Sequence, residues 1–217
     1  MQNKHISTLH YITPNLAHQD DYLLDIAGVC KSGATWVQLR MKEFPKETIL
    51  QIASKAKNIC DQYGCQLIIN DHPEIAHKVR AAGVHVGKED KKVAYIRERY
   101  GSKLIIGATA NRLEDIIEVS ETADYIGLGP FRFTETKKKL SPILGKEGYV
   151  SIMESLRIKG ITIPVLGIGG IEEADIDDLS ATGIYGVALS GLIHKSENQK
   201  LIIEHITKTF DYANYSQ

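Results

Sequence analysis

The sequence has little cysteine and no long apolar run. Its three cysteines are Cys30, Cys60 and Cys65. An odd number of cysteines argues against a disulfide framework and favours reduced thiols. Cys60 and Cys65 are spaced as CDQYGC, but no second pair completes a zinc site. No apolar run approaches the ~20 residues of a membrane span, and MQNKHISTLHYIT at the start lacks the apolar segment of a signal peptide. We therefore expect a cytoplasmic protein that makes no use of a membrane.

The sequence also lacks an excess of charge of either sign. The formal net charge is -1, from 26 Lys and Arg against 27 Asp and Glu. Bulk charge therefore gives no support to nucleic-acid binding, and anion binding must depend on local placement. No low-complexity segment or Pro/Gly/Ser linker divides the 217 residues, of which 43% are hydrophobic. We expect one domain spanning residues 1–217, with short frayed ends before the first strand and over the last ten residues.

What is present is a repeated pattern of short apolar strand, loop and amphipathic helix. Strands rich in Val, Ile and Leu are predicted at 9–13, 35–40, 66–70, 83–87, 103–109, 124–129, 162–170 and 185–191. Helices are predicted between them, among others at 46–64, 73–83, 112–123 and 172–183. Eight such units predict an α/β fold, a (β/α)8 TIM barrel. An open doubly wound sheet is less consistent, because no GxGxxG follows the first strand.

Polar side chains follow the predicted strands at the end where such barrels place their active sites. Period-two alternation points Gln38, Arg40 and Lys42 to one side of the second strand, and two cations there require an anion. Asp71 follows the third strand beside Asn70, and Asp90 follows the fourth, with Glu89 as the alternative ligand. Two carboxylates suit Mg²⁺, which takes its remaining ligands from water and substrate phosphates.

The later strands end in residues suited to polar groups and anions. Thr109 follows the fifth strand, and Asn111 is expected to cap the helix that begins near Arg112. His85, inside the fourth strand, is expected to line or pack the site. The loop after the sixth strand, GPFRFTETKKK, offers Thr134, Thr136 and Lys137 to an anion, whereas Lys138 and Lys139 are expected to be solvated.

Glycine-rich turns follow the last two strands, at Gly169–Gly170 and at Ser190–Gly191. In barrels of this kind, such turns often bind a phosphate through backbone N–H groups. The residues together indicate two anionic groups. One is a diphosphate beside Mg²⁺, near Arg40, Lys42 and Lys137, and the other is a monophosphate on the last two turns.

An ordered set of short motifs resembles the thiamine phosphate synthase (thiamine phosphate pyrophosphorylase) family over nearly the whole chain. The motifs are YIT, QLRMK, IIND, GVHVGKED, IIGAT, ADYIGLGP, FTETKKK, GIGGI and GVALSG. The resemblance implies a (β/α)8 barrel that uses Mg²⁺. It also implies a reaction that joins hydroxymethylpyrimidine diphosphate to a thiazole phosphate and releases pyrophosphate, through a pyrimidine-stabilised carbocation.

The resemblance also assigns residues. It implies that Asp71 and Asp90 bind the metal and that Arg40, Lys137 and Thr109 act in catalysis. The residues implied to contact the pyrimidine diphosphate are Gln38, Arg40, Asn70 and Lys137, and Lys42 and Thr109 are also expected to bind substrate. Those implied to hold the thiazole phosphate are Thr134, Thr136, Gly169, Leu189 and Ser190.

Three positions depart from the family pattern, since Thr109, Asn111 and Lys88 stand where Ser, His and Gln are usual. Two alternatives remain. One is a thiazole tautomerase on the same fold, which typically carries a His where Pro130 follows Gly129. The other is an inactive phosphate-ligand binding protein, against which Asp71 and Asp90 argue. The sequence predicts small-molecule partners, and it leaves a homo-oligomer open.

Overall fold

The computed structural model describes residues 4–133 and 142–215, which form a closed barrel of eight parallel strands. Each strand pairs with the next, and the last pairs with the first. The predicted (β/α)8 barrel is therefore confirmed. The strands are Leu9–Ile12 (β1), Trp36–Leu39 (β2), Gln66–Asn70 (β3), Gly83–Val86 (β4), Ile105–Ala110 (β5), Tyr125–Leu128 (β6), Val165–Ile168 (β7) and Gly186–Leu189 (β8).

Helices follow the strands and cover the outside of the barrel. They are Asp21–Lys31 (α1), Lys46–Gln62 (α2), Pro73–Lys78 (α3), Val93–Tyr100 (α4), Leu113–Val119 (α5), Gly145–Ile158 (α6), Ile176–Ser180 (α7), Gly191–His194 (α8) and Gln199–Tyr215 (α9). α3 is shorter than the predicted helix 73–83. Its chain passes through Arg80 at φ 55°, a left-handed turn that ends the helix before β4.

The strand residues divide between two cores. Those that point outward, such as Val37 and Leu39, join the large apolar layer between barrel and helices. Those that point inward form a smaller cluster inside the barrel, which includes Trp36, Ile68 and Tyr125. A Cβ at Gly107 would lie 2.1 Å from the Tyr125 ring, so glycine at that position makes room for the ring. This inner cluster fills the barrel beneath the strand ends.

The expectation of frayed ends is wrong for the described residues. Ile6 is 6% exposed and packs with the inner cluster, and Lys4 Nζ lies 2.8 Å from the Asp124 carboxylate. At the other end, α9 runs to Tyr215 and buries Ile206 and Phe210 completely. Burial of these apolar side chains offsets the entropy that fraying would gain. No helix in the described ranges is long and apolar enough to cross a membrane.

Candidate active site

A cavity of about 310 Å³ opens at the carboxyl ends of the strands. All eight strands contribute to its walls, through their last residues or the loops that follow them. This is the end at which the sequence predicts the site. The predicted site residues that line it are Gln38, Arg40, Lys42, Asn70, Asp71, Asp90, Thr109, Gly169, Leu189 and Ser190.

The end of β2 and the residues that follow it form a wall of the cavity, called the cationic wall after Arg40 and Lys42. Gln38 is only 3% exposed, and its Nε2 donates a hydrogen bond to Asn70 Oδ1 at 2.7 Å. Arg40 Nη1 donates to Asn15 Oδ1 at 2.7 Å, and Lys42 Nζ lies 3.7 Å from Asp71 Oδ2. Gln38, Arg40 and Lys42 therefore face one cavity, as the period-two alternation predicts.

Asp71 and Asp90 bring two carboxyl groups together beside this wall. Burial, followed by the hydrogen bond and the charge of Asp90, raises the pKa of Asp71 to about 6, although Lys42 and Arg40 oppose the rise. Asp90 Oδ2 accepts a hydrogen bond from the Gly87 backbone N–H at 2.8 Å, which fixes its side chain. Two close carboxylates form a donor set that repels itself and attracts a divalent cation.

The alternative ligand Glu89 lies elsewhere. It lines a neighbouring cavity that Asp71 and Asp90 also border, but only the two aspartates line the main cavity as well, and it is Asp90 that hydrogen-bonds Asp71. The structure therefore favours Asp90 over Glu89 as the partner of Asp71.

A hydrogen-bonded chain runs from the barrel interior to the cavity wall. His85 Nδ1 lies 3.1 Å from the Tyr125 hydroxyl, and His85 Nε2 lies 3.0 Å from Thr109 Oγ1. His85 is 7% exposed and lines the cavity, as expected for a lining residue. Tyr125 was not among the predicted site residues. The glycines opposite it, Gly107 and Gly127, were the available signal, since a Cβ at either would meet the Tyr125 or the His85 ring.

The prediction that Asn111 caps a helix is wrong. α5 begins at Leu113, and the structure gives it no side-chain cap. The Asn111 side chain instead donates through Nδ2 to the carbonyl oxygen of Gly129, which ties the end of β5 to the end of β6. The carboxylate of Asp115, in the first turn of α5, accepts a hydrogen bond from the Asn111 backbone N–H at 2.9 Å.

Lys88, which stands where Gln is usual in the family, lies outside the cavity. Its Nζ lies 2.8 Å from Asp115 Oδ1 on α5, and it is not among the residues that line the cavity. Lys88 therefore joins the loop after β4 to α5 and adds no cation to the wall.

The turns after β7 and β8 close the cavity on its remaining side. Gly169 and Gly170 adopt φ values of 94° and 68°, a region that favours glycine. A Cβ at Gly170 would also lie 2.8 Å from the Phe133 carbonyl oxygen. Leu189 and Ser190 complete this wall. Thr134, Thr136, Lys137, Lys138 and Lys139 lie outside the described residues, although Gly129 and Pro130, at the start of their loop, line the cavity.

Comparisons with known proteins show the family to which the chain belongs. A family model described as thiamine monophosphate synthase matches residues 9–193. A thiamine-phosphate synthase of Flavobacterium psychrophilum is 42% identical over 190 residues, covering 87% of this chain and 92% of that one. One of Bacteroides thetaiotaomicron is 42% identical over 195 residues, covering 88% and 91%.

Among solved structures, thiamine phosphate pyrophosphorylase from Pyrococcus furiosus superposes with a TM-score of 0.80 at 27% identity. That match covers 95% of this chain and 96% of the other. With a family match over most of its length and relatives well above 30% identity, this chain belongs to the thiamine monophosphate synthase family.

Proposed function

We propose that this chain joins hydroxymethylpyrimidine diphosphate to a thiazole phosphate, giving thiamine phosphate and pyrophosphate. The observation that carries the proposal is one cavity with a carboxylate pair, Asp71 and Asp90, beside the cationic wall of Arg40 and Lys42. This combination suits a diphosphate with its metal ion, and the relatives named thiamine-phosphate synthase support the reaction.

Asp71 and Asp90 would hold Mg²⁺. The fit rests on the chemistry of the donor set, since two oxygen-donor carboxyl groups lie close enough for Asp90 to raise the pKa of Asp71. Such a pair leaves coordination positions for water and for substrate phosphate oxygens. When bound, Mg²⁺ would neutralise charge on the diphosphate and on the departing pyrophosphate.

The protein's own cations act on the same diphosphate from beside the two carboxylates. The planar guanidinium of Arg40 suits two phosphate oxygens at once, and Lys42 adds a point charge near Asp71. Lys137 is assigned the same role from the loop after β6. The bond between Gln38 and Asn70 holds two amides beside these charges, where they position the pyrimidine diphosphate.

The reaction needs no nucleophile from the protein. The bond between the pyrimidine methylene carbon and the diphosphate oxygen breaks, and its electron pair leaves with pyrophosphate. The thiazole nitrogen then donates its lone pair to the resulting carbocation. The protein aligns the two substrates and stabilises the leaving charge. Thr109, held by His85, lines the cavity in which the pyrimidine must lie.

The thiazole phosphate is assigned to the turns after β7 and β8, at Gly169, Leu189 and Ser190, together with Thr134 and Thr136. We place the reaction in the cytoplasm, in line with three free cysteines. Homo-oligomerisation stays a prediction. Pro130 lines the cavity at the position where a tautomerase typically has His, which favours the synthase.

Product analysis tests this proposal. Purified protein is incubated with both substrates and Mg²⁺, and the products are separated by mass spectrometry. We expect thiamine phosphate only when both substrates are present. Isomerisation of a thiazole carboxylate phosphate without coupling would assign the chain to the tautomerases, and absence of both products would favour the inactive binding protein.

A further inference from the structure

The three cysteines of the chain, scattered in sequence, converge on one point. Cys30 lies in the last turn of α1, Cys60 in the last turn of α2, and Cys65 directly before β3. Their Sγ atoms all lie within 4.8 Å of one another. The residues are 5%, 0% and 5% exposed, and all three are free thiols. This trio is called the thiol cluster below.

The thiol cluster lies far from the active-site cavity. Cys65 precedes the first residue of β3, whereas Asn70, the last residue of that strand, lines the cavity. Five residues of strand span roughly 17 Å at about 3.3 Å per residue. The proposed reaction therefore gives the cluster no role.

The thiols interact with one another rather than with solvent. Hydrogen-bonding contacts with Cys60 and then with Cys65 lower the pKa of Cys30 below its usual value, and Cys65 Sγ also donates a hydrogen bond to the carbonyl oxygen of Gln66 at 3.7 Å. The bond to Cys30, together with burial, raises the pKa of Cys60 to about 12. The cluster thus places three sulfur atoms side by side in a buried apolar layer.

We propose that Cys30, Cys60 and Cys65 form a three-sulfur binding site for trivalent arsenic, taken up as arsenous acid. Trivalent arsenic binds three sulfur ligands in a pyramid and requires no fourth. Among the described residues, no His, Asp or Glu joins the three cysteines as a further ligand. For bonds of about 2.3 Å, three sulfurs lie at most about 4 Å apart, so the cluster needs only a small contraction.

Charge distinguishes arsenic from other thiophilic ions. Three thiolates around trivalent arsenic give a neutral complex, whereas three around Zn²⁺ or Cu⁺ leave net negative charge. The cysteines belong to the apolar layer between barrel and helices, where an unpaired charge is costly. Zn²⁺ in structural sites also takes four ligands.

The binding reaction balances without an oxidant. Each of the three thiols displaces one hydroxyl group of As(OH)₃, and its proton leaves with that hydroxyl as water. Three As–O bonds break and three As–S bonds form. Arsenic stays trivalent, and the products are the neutral complex and three waters.

The test titrates the reduced full-length protein with sodium arsenite. We expect one arsenic per chain, seen by native mass spectrometry as the gain of one arsenic atom and the loss of three hydrogens. The melting temperature should rise, because a ligand that binds the folded state stabilises it. No binding, or a falling melting temperature from preferential capture of unfolded cysteines, would overturn the proposal.

Single variants define the ligand set. Cys30→Ser, Cys60→Ala and Cys65→Ser each leave two thiols, and each should weaken arsenite binding by at least about tenfold. Equal affinity in all variants would contradict a three-sulfur site. If a variant fails to fold, the stoichiometry and loss of three hydrogens in the unmodified protein still decide the question. Parallel titrations with Zn²⁺ and Cu⁺ complete the test, and tighter binding of either ion would overturn the choice of arsenic.

Discussion

The Arg132 guanidinium donates two parallel hydrogen bonds to the Asp175 carboxylate, from Nη1 to Oδ2 at 2.8 Å and from Nη2 to Oδ1 at 2.9 Å. Nη1 also donates to the carbonyl oxygen of Gly170 at 2.8 Å. These hydrogen bonds therefore link the start of the loop after β6 to the turn after β7. Because Gly169 and Gly170 line the cavity, this pair sets the shape of the wall assigned to the thiazole phosphate.

Arg132→Ala should loosen that wall and raise KM for the thiazole phosphate about fivefold, with little change in KM for the pyrimidine diphosphate. The estimate corresponds to ~1 kcal/mol, a modest value because the arginine is partly exposed. Steady-state kinetics with each substrate varied in turn measures the effect. Arg157→Ala, an exposed position on α6, serves as the control. An unchanged KM in Arg132→Ala would contradict the positioning role.

The same pair predicts loss of stability in acid. Hydrogen bonds from Arg132 hold the pKa of Asp175 below its usual value of 3.8. A lowered folded-state pKa contributes stability above the unfolded pKa, and that contribution is lost as the pH falls through the folded value. Asp175→Asn should therefore lower the free energy of unfolding by ~1 kcal/mol at pH 7.

Urea unfolding at about pH 7 and about pH 3 measures this difference. The difference in the free energy of unfolding between Asp175→Asn and the unmodified protein should be smaller at the lower pH. Glu154→Gln, exposed on α6, provides the comparison. A difference of equal size at both pH values would contradict the ion-pair interpretation.

The fold was predictable because the barrel strands are local apolar runs. QLIIN reads as a buried strand by composition alone, and β3 spans the predicted residues 66–70. The ends of the chain were not predictable in the same way. Ile6 and Phe210 are buried by elements distant in sequence, and MQNKHIS and DYANYSQ contain no local pattern that reveals those contacts.

The site was predictable where residues follow strand ends, as with Arg40, Asp71 and Asp90. It was not predictable where a side chain bonds across strands. Asn111 stands where a local cap is expected, yet it bonds Gly129, 18 residues away. The sequence pattern places Tyr125 in a predicted strand and indicates no polar role for it. Only the closed barrel brings its hydroxyl to His85.

Asp71→Asn and Asp90→Asn should each lower kcat/KM by about a hundredfold or more, because each removes one of two proposed metal ligands. In EDTA, the same variants should melt a few degrees higher than the unmodified protein, since one of two facing carboxylates is gone. Activity assays with Mg²⁺ and thermal melts with EDTA measure the two effects. Glu89→Gln, outside the main cavity, should keep near-normal activity, and a loss equal to that of Asp90→Asn would refute the choice between them.

Thr109→Val should lower kcat about tenfold, because it removes the hydroxyl from the cavity wall and leaves His85 Nε2 without that partner. Thr109→Ser keeps the hydroxyl and should stay within a few-fold of the unmodified enzyme. Single-turnover measurements of pyrophosphate formation separate this effect from substrate binding. Equal rates for the Val and Ser variants would show that the hydroxyl has no part in the reaction.

Lys137→Ala should cost far more activity than Lys139→Ala, by about a hundredfold against less than about threefold. The reason is that the ammonium group of Lys137 is expected to contact the diphosphate, whereas those of Lys138 and Lys139 are expected to be solvated. The two variants remove the same charge from the same segment, so each controls for the other in kcat/KM. Equal losses would show that another lysine of the run serves the diphosphate.

Asp71, Asp90, Arg40 and Lys42 line the cavity in which we propose a metal-assisted coupling of two substrates. The most direct measurement follows pyrophosphate release by purified protein supplied with both substrates, first with Mg²⁺ and then with excess EDTA. We expect release that requires both substrates, stops in EDTA and returns when Mg²⁺ is restored. Release that continues undiminished in EDTA, or no release with both substrates and Mg²⁺ present, would contradict a metal-assisted coupling.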